Sequence, residues 1–314
     1  MKLIKPSFQI IESTGYTIDD IYKSIELAGR VSHKSEDKIT ETSAKDFVGR
    51  MLNMKHLAVC EFGTVYLQFF WTGAVCQHCN QTTPHKLLDK YANNKYSIVN
   101  YHGNDIYVTT NLRVLVENNW LDDLKYLCEP TEYHEKRYTV KFILDRGILA
   151  EFTRHRRFSF MAESTRYCNY SKNKFNNELT FIIPNWLNLI SSDNEIYING
   201  DEDKYCYPED VYTLNFLHTL KYAERAYLYL LTQWNEKIPD KRYKSGYKNN
   251  PWKPEQARGI LPLFLKTELY MCGFAEDWKY FFKLRDDKQH AHPQAYELAH
   301  PLHKEFIKRG YINE

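Results

Sequence analysis

Apolar residues fall at helical spacing over residues 17–30, where Ile18, Ile21, Ile25 and Ala28 share one side. Asp19 and Asp20 stand near the start of this stretch, where acids suit the helix dipole. Residues 43–52 repeat the pattern with Phe47, Val48, Met51 and Leu52. Over 62–70 the period drops to two, through Phe62, Thr64, Tyr66 and Gln68, and the β-branched and aromatic content predicts a strand. Residues 138–144 alternate again, and this second strand is expected to pair with the first. Asp145 then stands as the N-cap of a helix through Ile148, Leu149 and Phe152. Residues 211–234 predict a long amphipathic helix, with Leu214, Leu217, Leu220, Ala223, Tyr227, Leu230, Leu231 and Trp234 on one stripe. Residues 255–284 read as mostly helical with a break at Pro262. Pro293–Lys308 closes the chain as a helix with Ala295, Leu298, Leu302 and Phe306 inward.

Three stretches break these patterns. Residues 71–135 hold Cys76, His78 and Cys79, a polar run at 93–104, and a helical pattern at 110–127. This stretch reads as a peripheral insertion. Residues 194–208 are polar and read as looped out, and 239–254 form a basic, Tyr-containing loop. There is no internal repeat. The expectation is one α/β (α+β) domain over 1–314 with insertions at 71–135 and 194–208.

Charge narrows the possible functions. Lys and Arg number 42 against 40 Asp and Glu, a net of +2, so any anion site must be a local cluster. The longest apolar stretches, such as 65–75, fall short of the ~18 residues a membrane helix needs, and residues 1–12 lack the apolar core of a signal peptide. Seven scattered Cys suit a reduced, cytoplasmic protein with free thiols. No two of the 12 Gly are spaced as Gly-x-Gly, and no Gly-x-x-x-x-Gly-Lys-Ser/Thr occurs, which excludes the glycine-rich dinucleotide and phosphate loops.

The densest chemistry lies in Arg154-His155-Arg156-Arg157 and the following residues to Arg166-Tyr167. Four Arg forks among Ser159, Ser164 and Thr165 can grip a phosphate ester in bidentate fashion. The residues alone leave a second reading open, a solvated basic face beside a core stripe of Phe158, Phe160 and Met161. Arg258 and Arg285 are isolated and by themselves suit surface ion pairs. Cys76-x-x-Cys79 with His78 and His85 has zinc-ligand chemistry but lacks a second pair. His290, His292, His300 and His303 are metal-capable types, with His300 and His303 on one helix face; no metal site is assigned. Cys168 follows the Arg-rich block without an evident activating partner.

Arg154-His155-Arg156, seven further residues and then Ser164 resemble the signature of the flavin-dependent thymidylate synthases, the ThyX family, and Ser164-Thr165-Arg166-Tyr167 extends the likeness. Other blocks follow in the family's order. Arg30-Val31-Ser32, His56 to Glu61, Arg258 to Pro262, and Leu284-Arg285 each resemble a family element. The chain departs from the family in carrying Met161-Ala162 where many members have Asn-Glu. It also has Glu151 where a family member carries Gln, three residues before the first motif Arg, and this acid is expected to bond a sugar hydroxyl or pair with an Arg.

The resemblance implies a mainly antiparallel twisted sheet with packed helices, in a homotetramer whose active sites lie at subunit junctions. It implies reductive methylation of dUMP to dTMP, with 5,10-methylenetetrahydrofolate as carbon donor, FAD as cofactor and NADPH as reductant. By the same resemblance Ser32, His56, Arg154, His155 and Arg156 contact FAD. Glu151, Arg154, Glu163, Ser164, Thr165, Arg166 and Arg258 contact dUMP, Arg258 from another subunit. Arg285 faces the pyrimidine as the catalytic cation. The polar flavin ligands expected on the last long helix are here Phe274, Ala275, Glu276 and Tyr280. Three rival readings are a catalytically degenerate nucleotide-binding homologue, a single-stranded nucleic-acid-binding protein stacking bases on the aromatics near Arg154, and a zinc module at Cys76 and Cys79. The small net charge argues against nucleic acid.

Overall fold

The computed structural model describes residues 1–70, 85–187, 195–197, 211–232 and 252–313. The Cys76–Cys79 pair and Trp234 lie outside these, as do most of 194–208 and of 239–254.

The chain opens with strands β1 (Lys2–Ile4) and β2 (Ser7–Ile11), then helices α1 (Ile18–Arg30) and α2 (Ser43–Asn53). β3 (Thr64–Phe70), α3 (His85–Ala92), β4 (Ile98–His102), β5 (Asp105–Asn111) and α4 (Leu112–Glu117) follow. The middle of the chain holds β6 (Arg137–Asp145), α5 (Arg146–Phe152), β7 (Ser159–Ala162), β8 (Thr180–Ile182), β9 (Glu195–Tyr197) and α6 (Val211–Thr232). It ends with α7 (Pro254–Ala257), β10 (Lys266–Phe274), α8 (Ala275–Arg285) and α9 (Pro293–Lys308).

The helix boundaries have local causes. Thr17 caps α1 in a reciprocal box with Asp20, the acid expected at that end. Asp145 caps α5 by accepting from the Ile148 N–H at 2.8 Å. α9 buries Ala295, Leu298, Leu302 and Phe306, the expected stripe. None of the described helices is long and apolar enough to cross a membrane.

A four-stranded sheet runs β2-β6-β10-β7 with every neighbour antiparallel. A second, three-stranded sheet runs β3-β5-β4, also antiparallel. The third, β8-β1-β9, is mixed, with β1 parallel to β8. The fold is thus mixed helix and mainly antiparallel sheet.

Three expectations are corrected. β6 pairs with β2 and β10, whereas β3 pairs with β5. The helical pattern at 110–127 resolves into the end of β5, the six-residue α4 and a 3-10 turn at Leu121–Tyr126. The helix expected over 255–284 contains β10, one of the two inner strands of the large sheet. β10 is buried on both faces. Leu269 and Met271 enter the core beneath α8 and α9, while Tyr270 and Cys272 pack against Ala28 and Val31 on the other side. A strand covered on both faces has no polar alternation to betray it. A Cβ at Gly273 would lie 2.5 Å from Phe158 Cδ1, so glycine lets that ring sit directly on the strand.

Two large cores result. One fills the space between the four-stranded sheet and α5, α8 and α9, with Phe142, Phe152, Trp278, Phe281 and Phe306 fully buried. The other joins α1 and α2 to β3, β5 and α4. Ile106, Val108, Leu112 and Leu115, assigned from sequence to a peripheral insertion, are buried members of this second core.

Candidate active site

Between Phe152 and Phe158, both buried, the chain makes two tight turns, with the His155 N–H donating to Phe152 O and the Phe158 N–H to His155 O, each at 3.1 Å. The turns point His155 inward and leave Arg154, Arg156 and Arg157 exposed. These four residues line a cavity of about 670 Å³ with Glu276, Asp277, Tyr280 and Arg285 of α8. Arg157 pairs with Asp277 at 3.5 Å. Arg154 and Arg156 make no ion pair among the described residues.

Arg285 is held on three sides. Its Nε donates to His155 Nε2 at 3.1 Å, one Nη to the Glu151 carboxylate at 2.7 Å, and the other Nη to Glu151 O at 3.2 Å. Because His155 accepts at Nε2, its neutral ring carries the proton on Nδ1. Burial, reinforced by the Arg285 charge, pulls the His155 pKa down to about 4, so the ring is neutral at physiological pH. Glu151 therefore pairs with an Arg, one of its two expected roles.

Past β7 the chain turns toward a second cavity. The Ser164 N–H donates to Ser32 O at 3.1 Å, and Ser164 Oγ accepts from the Arg166 N–H at 3.2 Å. The second cavity, about 780 Å³, is lined by Ser32, His33, Met51, His56, Met161 and Tyr167, among others. His33 stacks on Tyr167 at 4.3 Å, and burial followed by the charges of Lys174 and Lys38 lowers the His33 pKa.

Glu163, expected along the nucleotide, is only 2% exposed. It accepts from Tyr170 Oη at 2.8 Å and from Lys266 Nζ at 2.9 Å. Lys266 also reaches Glu268 at 2.6 Å, and Lys34 and Lys141 close on Glu268 at 2.7 and 2.8 Å. This buried network ties the Ser32 loop, the Glu163–Ser164 loop and β10 together. Thr165 is buried beside it, and Arg166 stays exposed, 3.7 Å from Glu255. Cys168 is fully buried, and burial pushes its thiol up to about 12, which leaves no nucleophilic thiolate.

Within one chain the expected residues thus fall in three places. Arg154, His155, Arg156 and Arg285 share the first cavity, with Glu151 bonded behind it; Ser32 and His56 line the second, with Ser164 adjoining. Arg258 is exposed on the turn after α7 and lines neither. Sequence reasoning missed Asp277, which lines the first cavity, and His33, which lines the second. The signal for His33 was its place directly after Ser32.

The model of the thymidylate synthase complementing protein family, which is the ThyX family, matches residues 129–309. That span is more than half of the chain, and the protein belongs to this family. No curated protein sequence matches it. Among solved structures it is similar to a UMP/dUMP methylase, PolB, from Streptomyces cacaoi. The form bound with 5-Br dUMP aligns over 98% of this chain and 93% of that one, at 15% identity and a TM-score of 0.40. The form bound with 5-Br UMP aligns over 98% and 91%, with the same identity and TM-score.

Proposed function

We propose that the protein is a flavin-dependent thymidylate synthase that converts dUMP to dTMP with 5,10-methylenetetrahydrofolate as carbon donor. The observation that carries this reading is the Arg285–His155–Glu151 arrangement inside a cavity headed by Arg154 and Arg156, in a chain of this family.

The residues present suit FAD. Arg154 and Arg156 line the cavity without carboxylate partners among the described residues, which matches a diphosphate. In the proposed homotetramer the second cavity of one subunit faces the first of another, and its His33–Tyr167 stack with Met51 and Met161 offers a flat, polarisable wall for the ring system. When bound and reduced by NADPH, FAD supplies the reducing electrons, so that tetrahydrofolate is the released product.

The protein's own part is binding, orientation and polarisation. A guanidinium has five N–H donors, and Glu151 and His155 occupy three of those on Arg285. The remaining two serve the pyrimidine, where a fixed cation stabilises the negative charge that develops during methyl transfer. Ser164 and Arg166 bind the nucleotide, and Glu163 holds their loop in place through Tyr170 and Lys266. Arg258 completes the nucleotide site from another subunit of a homotetramer.

Purified protein should take up FAD and form dTMP. Arg285→Ala should lose dTMP formation, by at least about 100-fold for one charge-stabilising group, while its flavin absorbance is retained. A protein that takes up no FAD and makes no dTMP contradicts the reading.

A further inference from the structure

α8 ends at Arg285, and Asp286 is the residue that caps it. A carboxylate there has the wrong sign, because the last carbonyls of a helix already present negative charge. Two imidazoles from α9 offset it. His300 donates from Nδ1 to Asp286 Oδ1 at 2.7 Å, and His303 donates from Nδ1 to Oδ2 at 2.7 Å. Each ring is also held flat, His303 against Phe282 at 4.4 Å and His300 against Tyr296 at 5.0 Å. The Asp286 N–H meanwhile donates to Phe282 O at 2.8 Å. One residue thus closes the last turn of α8 with its backbone and fastens that turn to α9 with both carboxylate oxygens.

We propose that Asp286, His300 and His303 form a clasp whose task is to position Arg285 in its cavity. Terminal turns of helices fray, and Arg285 stands in such a turn. Its side chain must reach from there to Glu151, in the last turn of α5, and to His155 just past that helix. α9 is an unyielding anchor, since Leu298, Ala299, Leu302 and Phe306 are buried in the large core. The clasp transfers that rigidity to the Arg285 backbone. Both oxygens of Asp286 must accept, which a carboxylate does and an amide does not without an imidazole changing tautomer. The positional claim stands on this geometry alone, and only its consequence for nucleotide binding rests on the function proposed above.

The test uses the full-length protein and the NMR signal of the Arg285 Nε–H, assigned by its loss in Arg285→Lys. In the native protein this proton should exchange slowly, held by His155. Asp286→Ala should speed its exchange at least tenfold. The double substitution His300→Ala/His303→Ala should do the same. His300→Asn/His303→Asn should restore slow exchange, because an Asn amide N–H can stand where each Nδ1–H stood. dUMP affinity should weaken in the two variants with fast exchange and recover in the Asn pair. Unchanged exchange in Asp286→Ala overturns the proposal even if the variant melts earlier. Should Asp286→Ala not fold, equal exchange in the double-Ala and double-Asn proteins overturns it. Failure of the native protein to bind dUMP would count against the proposed function, and the exchange comparison would still decide the clasp.

Discussion

Between pH 8 and pH 5 an ordinary imidazole gains a proton, and His155 has two reasons not to. It is buried among Phe158, Phe281 and Tyr280, and the Arg285 Nε–H points at the lone pair a proton would need. An NMR titration of its ring should therefore give a midpoint near 4, and a midpoint near 6.5 would contradict the site geometry. The folded pKa lies below the ordinary value of 6.5, so the unfolded chain binds the proton more readily. The stability due to this residue is complete above about pH 6.5 and is lost as pH falls toward 4. At this scale the sequence was informative about chemistry and silent about direction. Arg154 to Arg166 stood out because forks, an imidazole and hydroxyls are conspicuous residue types. That Glu163 turns inward to Lys266 while Arg156 turns outward depends on which residues lie beneath each turn, and no local spacing encodes that.

Among the elements, β10 has the largest structural burden, and Glu268 shows why. Burial opposes its charge, and Lys266 and Lys34 overcome that, holding its carboxyl well below the usual range. Its folded pKa lies below the ordinary 4.5, so its contribution is present above that pH and is lost as pH falls below it. Glu268→Ala would leave Lys266, Lys34 and Lys141 facing one another around an empty centre. The expected cost in urea unfolding is about 3–5 kcal/mol, as for other broken buried pairs, and a loss under about 1 kcal/mol would show the network to be peripheral. The helices with one dry face, α1, α5 and α9, were legible from their apolar stripes, which match the burial seen except at Ile18, exposed at the start of α1. β10 was not, since covering both faces removes the alternation that marks a strand. β5 was hidden for the same reason, with six of its seven residues buried.

Across the whole molecule, the family match at 129–309 takes in β6, β7 and β10 with α5, α8 and α9. The core built by α1, α2, β3, β5 and α4 lies before it, yet Met51 at its edge and the exposed His56 after α2 line the second cavity. The resemblance of Ser32 and His56 to family elements was readable in sequence, as was the neighbouring strand β3, whereas β5 beside it was not. Arg258 stands apart from both cavities, which is the arrangement expected if sites are completed between subunits. Arg258→Ala and Arg285→Ala should each be inactive, and coexpressing the two should restore dTMP formation, because mixed assemblies contain sites with both arginines intact. No recovery in verified mixed assemblies would place both residues in one chain's site.

In the proposed reaction, dUMP methylation draws its reducing electrons from flavin. A single anaerobic turnover of the reduced holoenzyme with dUMP and 5,10-methylenetetrahydrofolate tests this most directly. One dTMP and one tetrahydrofolate should form for each flavin oxidised. Formation of dTMP with dihydrofolate while the flavin stays reduced would contradict the proposed reaction.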